Sequence, residues 1–208
     1  MSLPWTSSAR RVRGPLALAS LALLLLSCKR SEPPPPPDDT PPPWASAPSG
    51  EPERAGMVWI PPGTLLAGTP PGRVPRIADQ EMPGGAVELK GFFIDRFSHP
   101  GEQGAIPETG FTHAEARAIC EKQGKRLCTE LEWERACKGP ENRVYEYGDD
   151  FDAAICGMAT TDALAPNGIN ARCESGFGVR DLHGSAWTWT SSLWGRGAEG
   201  KKVTARGG

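Results

Sequence analysis

Gly124–Cys137, GKRLCTELEWERAC, is the stretch on which the reading of this chain turns. Gly124 tolerates the left-handed conformation in which helices commonly end. Lys125–Cys128 then crosses to a new element. Thr129 is a good N-cap, and Glu132 stands three residues later, so the two can form a reciprocal capping box. Glu130 and Glu132 put negative charge in the first turn, beside unpaired N–H groups. Trp133, Ala136 and Cys137 recur at offsets of three and four, which predicts an apolar stripe on one helix face. No nucleophile–base pair stands here. The stretch predicts two helices joined by a cysteine-bearing turn, a structural centre rather than a reactive one.

Towards the N-terminus a second capping box is available in Thr112 and Glu115, opening a helix that Gly124 stops. Ala116, Ile119 and Cys120 share one of its faces. His113, at its first position, reads as an exposed polar residue, because no histidine or carboxylate stands at metal-binding spacing from it. Short strands are expected at Met57–Ile60, Thr64–Ala67, Val87–Leu89 and Phe92–Asp95, with Phe92, Phe93 and Phe97 in the core. Gly68–Gly85 reads as loop, because Pro70, Pro71, Pro75 and Pro83 break regular structure. Ser98–Gly110 reads as a second loop.

Towards the C-terminus, Tyr145–Asp152 is acidic and carries a glycine. Asp149, Asp150 and Asp152 place three carboxylates within four residues, the hard oxygen ligands that calcium takes. The spacing is not that of an EF-hand, and the alternative is a solvated turn whose aspartates cap backbone amides. Asp181-Leu182-His183-Gly184 is a turn signal, with Asp181 the candidate carboxylate neighbour of His183 and no third catalytic partner. Trp187 and Trp189 alternate as on one face of a strand.

The chain's beginning bears on its compartment. Arg10, Arg11 and Arg13 precede an apolar run, Pro15–Leu26, that is too short to span a bilayer as a mature helix. With Leu25-Leu26-Ser27-Cys28 it resembles a bacterial lipoprotein signal peptide, in which the cysteine becomes the lipidated N-terminus. Residues 1–27 are therefore set aside from the fold. Residues 28–55 form a lipidated, proline-rich tether, since proline at this density favours extended polyproline II. Residues 56–208 form the folded domain, long enough to bury one core. The expected place is the bacterial cell envelope, anchored in the lipid bilayer through Cys28. Lys29 after the cysteine resembles the pattern of outer-membrane lipoproteins facing the periplasm or the exterior. A formal charge of -2 gives no electrostatic case for nucleic acid as a partner.

Five stretches together carry a further resemblance. They are Gly56–Gly63, Phe92–Arg96, Gly124–Glu134, Tyr145–Gly148 and Gly178–Gly184 with Trp187 and Trp189; Val203–Gly208, VTARGG, completes the series. In this order they resemble the formylglycine-generating enzyme family, also called the sulfatase-modifying factor family. The resemblance implies an α+β, C-type-lectin-like fold with two helices, short strands and much irregular loop. It implies structural calcium as a cofactor, for which Asp149, Asp150 and Asp152 are the candidate ligands read above from their spacing. Enzymes of the family bind copper(I) with a cysteine pair and oxidise a sulfatase cysteine to formylglycine.

The departures from the pattern weigh on function. The copper-binding pair of the family lies beyond its arginine-glycine-glycine strand, and no close cysteine pair follows Cys173 here. The usual HGNVWEW is HGSAWTW, with Ser185 and Thr188, and the calcium-binding asparagine corresponds to Gly157. His99, His113 and His183 do not resemble the iron-binding set of related sulfoxide synthases. The resemblance thus points to a non-catalytic member with a binding or accessory role and no catalytic residue of its own. Its ligand would be a peptide, a protein or a glycan. The copper-dependent oxidase is the alternative, on condition that a further C-terminal part supplies the missing pair. Beyond Cys28, the disulfide candidates are Cys120, Cys128, Cys137, Cys156 and Cys173. The odd number leaves a thiol over within the chain. In the family, cysteines matching Cys120 and Cys137 pair with residues near the C-terminal end of the domain, which leaves one bridge among Cys128, Cys156 and Cys173.

The anchoring expectation is tested in a bacterial host. The protein should fractionate with membranes and carry lipid at Cys28, and Cys28→Ser should accumulate as unprocessed precursor. A lipid-free mature N-terminus elsewhere, seen by mass spectrometry, contradicts it.

Overall fold

The computed structural model describes residues 54–74, 76, 81–157, 163–184, 186–193 and 202–207. The signal-peptide segment, Cys28 and nearly all of the proline-rich tether lie outside these residues, as do Ser185 and Gly208.

Among the described residues, six strands and three helices follow in the order β1 (Met57–Ile60), β2 (Gly63–Gly68), β3 (Pro83–Leu89), β4 (Phe92–Asp95), α1 (His113–Lys122), α2 (Glu130–Lys138), α3 (Ala153–Cys156), β5 (Thr188–Leu193) and β6 (Val203–Arg206). The strands form three two-stranded antiparallel sheets, β1–β4, β2–β3 and β5–β6. The β2–β3 hairpin is therefore inserted between the two partners of the first sheet. Short strands, two capped helices and long loops make this an α+β fold, as the sequence predicts.

Side-chain alternation explains the first sheet. Val58 and Ile60 point inward and are buried, while Trp59 stands opposite Phe93 across the ladder, with ring centroids 4.9 Å apart. Gly91 admits this Trp59 ring: a Cβ there would lie 2.4 Å from it. In β2, Leu65 and Ala67 are buried. The register slips at Gly68, whose φ of +75° suits glycine and whose absent Cβ leaves room for the Met82 carbonyl oxygen.

Both capping boxes form. The Thr112 and Thr129 side chains accept the N–H of Glu115 and Glu132, and each glutamate accepts its cap residue's N–H. Three local expectations are corrected. Residues 68–85 are not loop throughout, because β3 begins at Pro83. Proline is tolerated there because it is the first residue of the strand. A third, one-turn helix, α3, follows Asp152, whose carboxylate accepts the Ala154 N–H at 2.9 Å. Of the three phenylalanines assigned to the core, only Phe92 joins it. Phe93 faces Trp59 and Arg54 outside, and Phe97 stands against Gly168.

The core joins Val58, Ile60 and Phe92 from the first sheet, Trp133, Ala136 and Cys137 from α2, and Phe177, Val179 and Leu182 from a loop. The predicted α2 stripe is thus the middle layer. The α1 stripe differs: no residue of α1 is fully buried, and Ala116, Ile119 and Cys120 border a cleft instead.

α2 also buries charge. The Glu134 carboxylate accepts the Gly68 N–H at 2.6 Å and Arg206 at 3.0 Å, and it lies 3.2 Å from Lys138 Nζ. Arg135 donates to the carbonyls of Thr64 and Pro61 and lies over the Phe177 ring. Lys138 donates to the carbonyls of Leu66 and Gly68, each at 2.6 Å. One helix therefore satisfies the backbone of β2 on one side and holds β6 on the other.

Removing one partner of such a network strands the others away from water. Glu134→Ala should lower stability by about 3–5 kcal/mol, and Glu134→Gln, which keeps an acceptor for Gly68, by less. Urea unfolding of the three proteins measures this. An alanine variant within experimental error of the parent contradicts the account.

Candidate functional site

A cleft of about 770 Å³ opens between the outer face of the first sheet, α1, the turn at Gly124–Cys128 and the loop that leads into β5. Its aromatic wall comprises Trp59, Phe93, Phe111, Trp187 and Trp189. Trp187 is 70% exposed. It precedes β5, so the two tryptophans expected on one strand face divide: Trp187 stands in the mouth, and Trp189 is fixed within the wall. Trp189 Nε1 donates to the Phe111 carbonyl at 2.8 Å.

His113 is half-buried, which corrects its reading as an exposed polar residue. Its Nε2 lies 3.0 Å from the Thr190 carbonyl oxygen and its ring meets Trp189 edge-on. A carbonyl only accepts, so Nε2 carries the proton. The histidine fastens the start of α1 to β5. Its partner is far away in sequence, and local spacing gave no sign of it.

The polar side of the cleft is paired. Lys125 Nζ meets Asp95 Oδ1 at 2.8 Å. Arg126 grips Glu132 with two nitrogens, at 2.8 and 2.6 Å, and Arg180 pairs with Glu174. Burial raises the Glu132 carboxyl, but the Arg126 fork and the Thr129 N–H outweigh it, and the pKa lies below the ordinary value.

Two free cysteines, Cys120 and Cys128, line the same cleft. Burial, then the Asp95 carboxylate, raises the Cys120 thiol. Cys128 is half-buried as a residue, yet desolvation around its sulfur pushes the thiol up to about 12, with Glu132 adding to the rise. The third free cysteine, Cys137, is buried, and burial with the nearby Glu146 carboxylate raises it well above its ordinary value. All three hold their protons at neutral pH.

Cys156 and Cys173 form the disulfide. Beside it the turn at Tyr145–Gly148 delivers Glu146, which is 0% exposed. Its Oε2 accepts the Leu182 N–H at 3.1 Å, and its Oε1 accepts the His183 N–H at 2.9 Å. His183 Nδ1 lies 3.4 Å from Oε1 and 3.7 Å from Cys137 Sγ. The imidazole is boxed edge-on by Trp133 and Tyr145.

The carboxylate neighbour of His183 is therefore Glu146, not Asp181. The Asp181 carboxylate accepts the Gly168 N–H at 2.6 Å instead. The sequence reading passed over Glu146 in favour of the aspartates after it. The available signal was a charged residue framed by two aromatic ones, Tyr145-Glu146-Tyr147. Asp149, Asp150 and Asp152 are exposed. Asp149 accepts the Val144 N–H, and Asp152 caps α3. Gly157, at the position matched to a ligand asparagine, ends α3 with φ 72°.

A family model described as "Sulfatase-modifying factor enzyme 1-like domain" matches residues 98–208. The chain is 31% identical over 102 residues to the formylglycine-generating enzyme of Bos taurus, covering 38% of this chain and 25% of that protein. It is 37% identical over 92 residues to the hercynine oxygenase of Mycolicibacterium thermoresistibile, covering 41% of this chain and 21% of that protein. It is 31% identical over 97 residues to the "Inactive C-alpha-formylglycine-generating enzyme 2" of Bos taurus, covering 38% and 30%. The chain thus spans between a fifth and a third of the length of these curated relatives.

The cleft wall generates a pH prediction. A carboxyl held below its ordinary pKa in the fold stabilises the protein above the unfolded value, and that contribution is lost as pH falls through the folded value. Relative to Glu132→Gln, the parent should be more stable at neutral pH. The difference should shrink below pH 4.5, the ordinary glutamate value. Unfolding curves across the acid range measure it. A difference independent of pH rules the Arg126–Glu132 pairing out as its source.

Proposed function

The chain belongs to the sulfatase-modifying factor enzyme 1-like family, and on that premise we propose that it is a membrane-anchored member that acts by binding rather than by catalysis. The observation that carries this reading is the aromatic cleft with Trp187 in its mouth. Exposed indole beside fixed rings and paired charges offers a peptide or a sugar ring large contact area with little entropy to lose. The chemistry of the thiols supports the same view. Oxidation of a cysteine by oxygen requires a metal or cofactor to handle single electrons, and copper(I) selects thiolates. The free thiols among the described residues are protonated, and Cys137 is enclosed.

The copper-dependent oxidase is the competing reading, favoured by the similarity to the bovine formylglycine-generating enzyme. One experiment separates the two. The full chain is mixed with copper(I), oxygen and a sulfatase-derived peptide containing Cys-x-Pro-x-Arg, and the peptide is read by mass spectrometry and its binding by calorimetry. The expected result is binding without formylglycine, weakened by about tenfold or more in Trp187→Ala. Formylglycine formed over many turnovers, and absent without the protein, makes it an oxidase. If neither this peptide nor an immobilised glycan panel is retained in a Trp187-dependent way, the binding reading fails.

A further inference from the structure

The Glu146 carboxylate is in an unusual position for a buried charge. Its Oε1 lies 3.3 Å from Cys156 Sγ and 3.0 Å from Cys173 Sγ. Sulfurs joined in a disulfide carry no hydrogen, so neither can donate to this oxygen. A charged acceptor is thus packed against two lone-pair-bearing atoms inside the protein. The N–H groups of Leu182 and His183 offset the charge from one side, and a proton or a cation between the oxygen and the sulfurs would offset it from the other. Two thiols would supply the proton. A metal ion would replace both thiol protons at once.

We propose that Glu146, Cys156, Cys173 and His183 form a redox-gated site for a zinc-like divalent ion, open when the disulfide is reduced and closed when it is formed. The geometry supports this set. The ligand atoms of Glu146, Cys156 and Cys173 all lie within 4.8 Å of one another, and all three residues are buried. Tetrahedral zinc with sulfur, nitrogen and oxygen ligands keeps its ligand atoms about 3.3–3.8 Å apart. The two oxygen–sulfur distances and the 3.4 Å from Oε1 to His183 Nδ1 are close to that range already. The two sulfurs must separate, which the disulfide forbids, and the His183 imidazole, which lies outside the 4.8 Å group, must turn towards them. Oxidised and metal-bound states therefore exclude each other. Two thiolates and an imidazole select a zinc-like ion over calcium. The N–H groups of Leu182 and His183 hold the carboxylate in place as outer support.

The chemistry balances. A dithiol reductant gives two electrons and two protons to the Cys156–Cys173 bond, which becomes two thiols while the reductant becomes a disulfide. The ion then enters and displaces the two thiol protons to solvent. Oxidation by a disulfide partner reverses both steps and expels the ion.

The test uses the full chain, reduced with dithiothreitol, freed of reductant without air and titrated with cobalt(II) as a coloured stand-in for zinc. The reduced chain should take up a single equivalent with thiolate-to-cobalt charge-transfer absorption, the oxidised chain none, and reoxidation should release the metal. Glu146→Gln should weaken binding by about tenfold or more, and Cys120→Ser/Cys128→Ser should leave it unchanged. As a measurement that needs no variant, zinc should protect Cys156 and Cys173 of the reduced parent from alkylation while leaving Cys120 reactive. No uptake by the reduced chain, equal uptake by the oxidised chain, indifference to a folded Glu146→Gln, or no selective protection overturns the proposal.

Discussion

The structure depends on a helix that carries its charges inward. In α2, Glu134, Arg135 and Lys138 turn towards strands whose backbone groups have no ladder partner at those points. Gly68, Leu66, Thr64 and Pro61 are satisfied by side chains of α2 rather than by another strand. Such ties cost desolvation and contribute little net stability compared with apolar packing. Their effect is to exclude alternatives, because any other placement of the β2–β3 hairpin leaves several buried charges unpaired. Three two-stranded sheets too small to stand alone are thereby assembled around one helix.

That arrangement explains where the two chemically distinct regions lie. The α2 stripe of Trp133, Ala136 and Cys137 faces the core, and Arg126, Leu127, Cys128 and Glu132 just before it line the cleft. At the other end of the stripe, Cys137 and Trp133 touch His183, which leads to Glu146 and the disulfide. Cleft and buried polar cluster are thus neighbours through α2. The loop carrying Phe177, Val179 and Leu182 closes both, supplying core on one side and amide donors for Glu146 on the other.

What was legible in the sequence was local. Thr112 with Glu115 and Thr129 with Glu132 fixed two helix starts, because a capping box is complete within four residues. Met57–Ile60 and Phe92–Asp95 were readable from continuous apolar runs. Chemistry completed across the chain was not readable. Nothing near His113 announces the Thr190 carbonyl, and nothing near Glu146 announces the amides of Leu182 and His183. The aspartates after Glu146 stand out because three carboxylates stand together, and two of them, Asp149 and Asp152, accept N–H groups of their own turn. Pro83 misled for a different reason: its missing donor is harmful only inside a ladder, not at a strand's first residue.

The ties of α2 also bear on how the chain reaches this structure. Gly68 and Glu134 are 66 residues apart, and Glu134 and Arg206 are 72 apart. The first sheet joins Met57 to Asp95 across an entire inserted hairpin. Loop-closure entropy must be met before any of these contacts returns stability. α2 is capped locally and can form early, but it then displays Trp133 beside unpaired charges until strands from both ends of the domain arrive. Contacts of such span favour slow, late-committing folding. Such a domain is completed only once both of its distant ends are present.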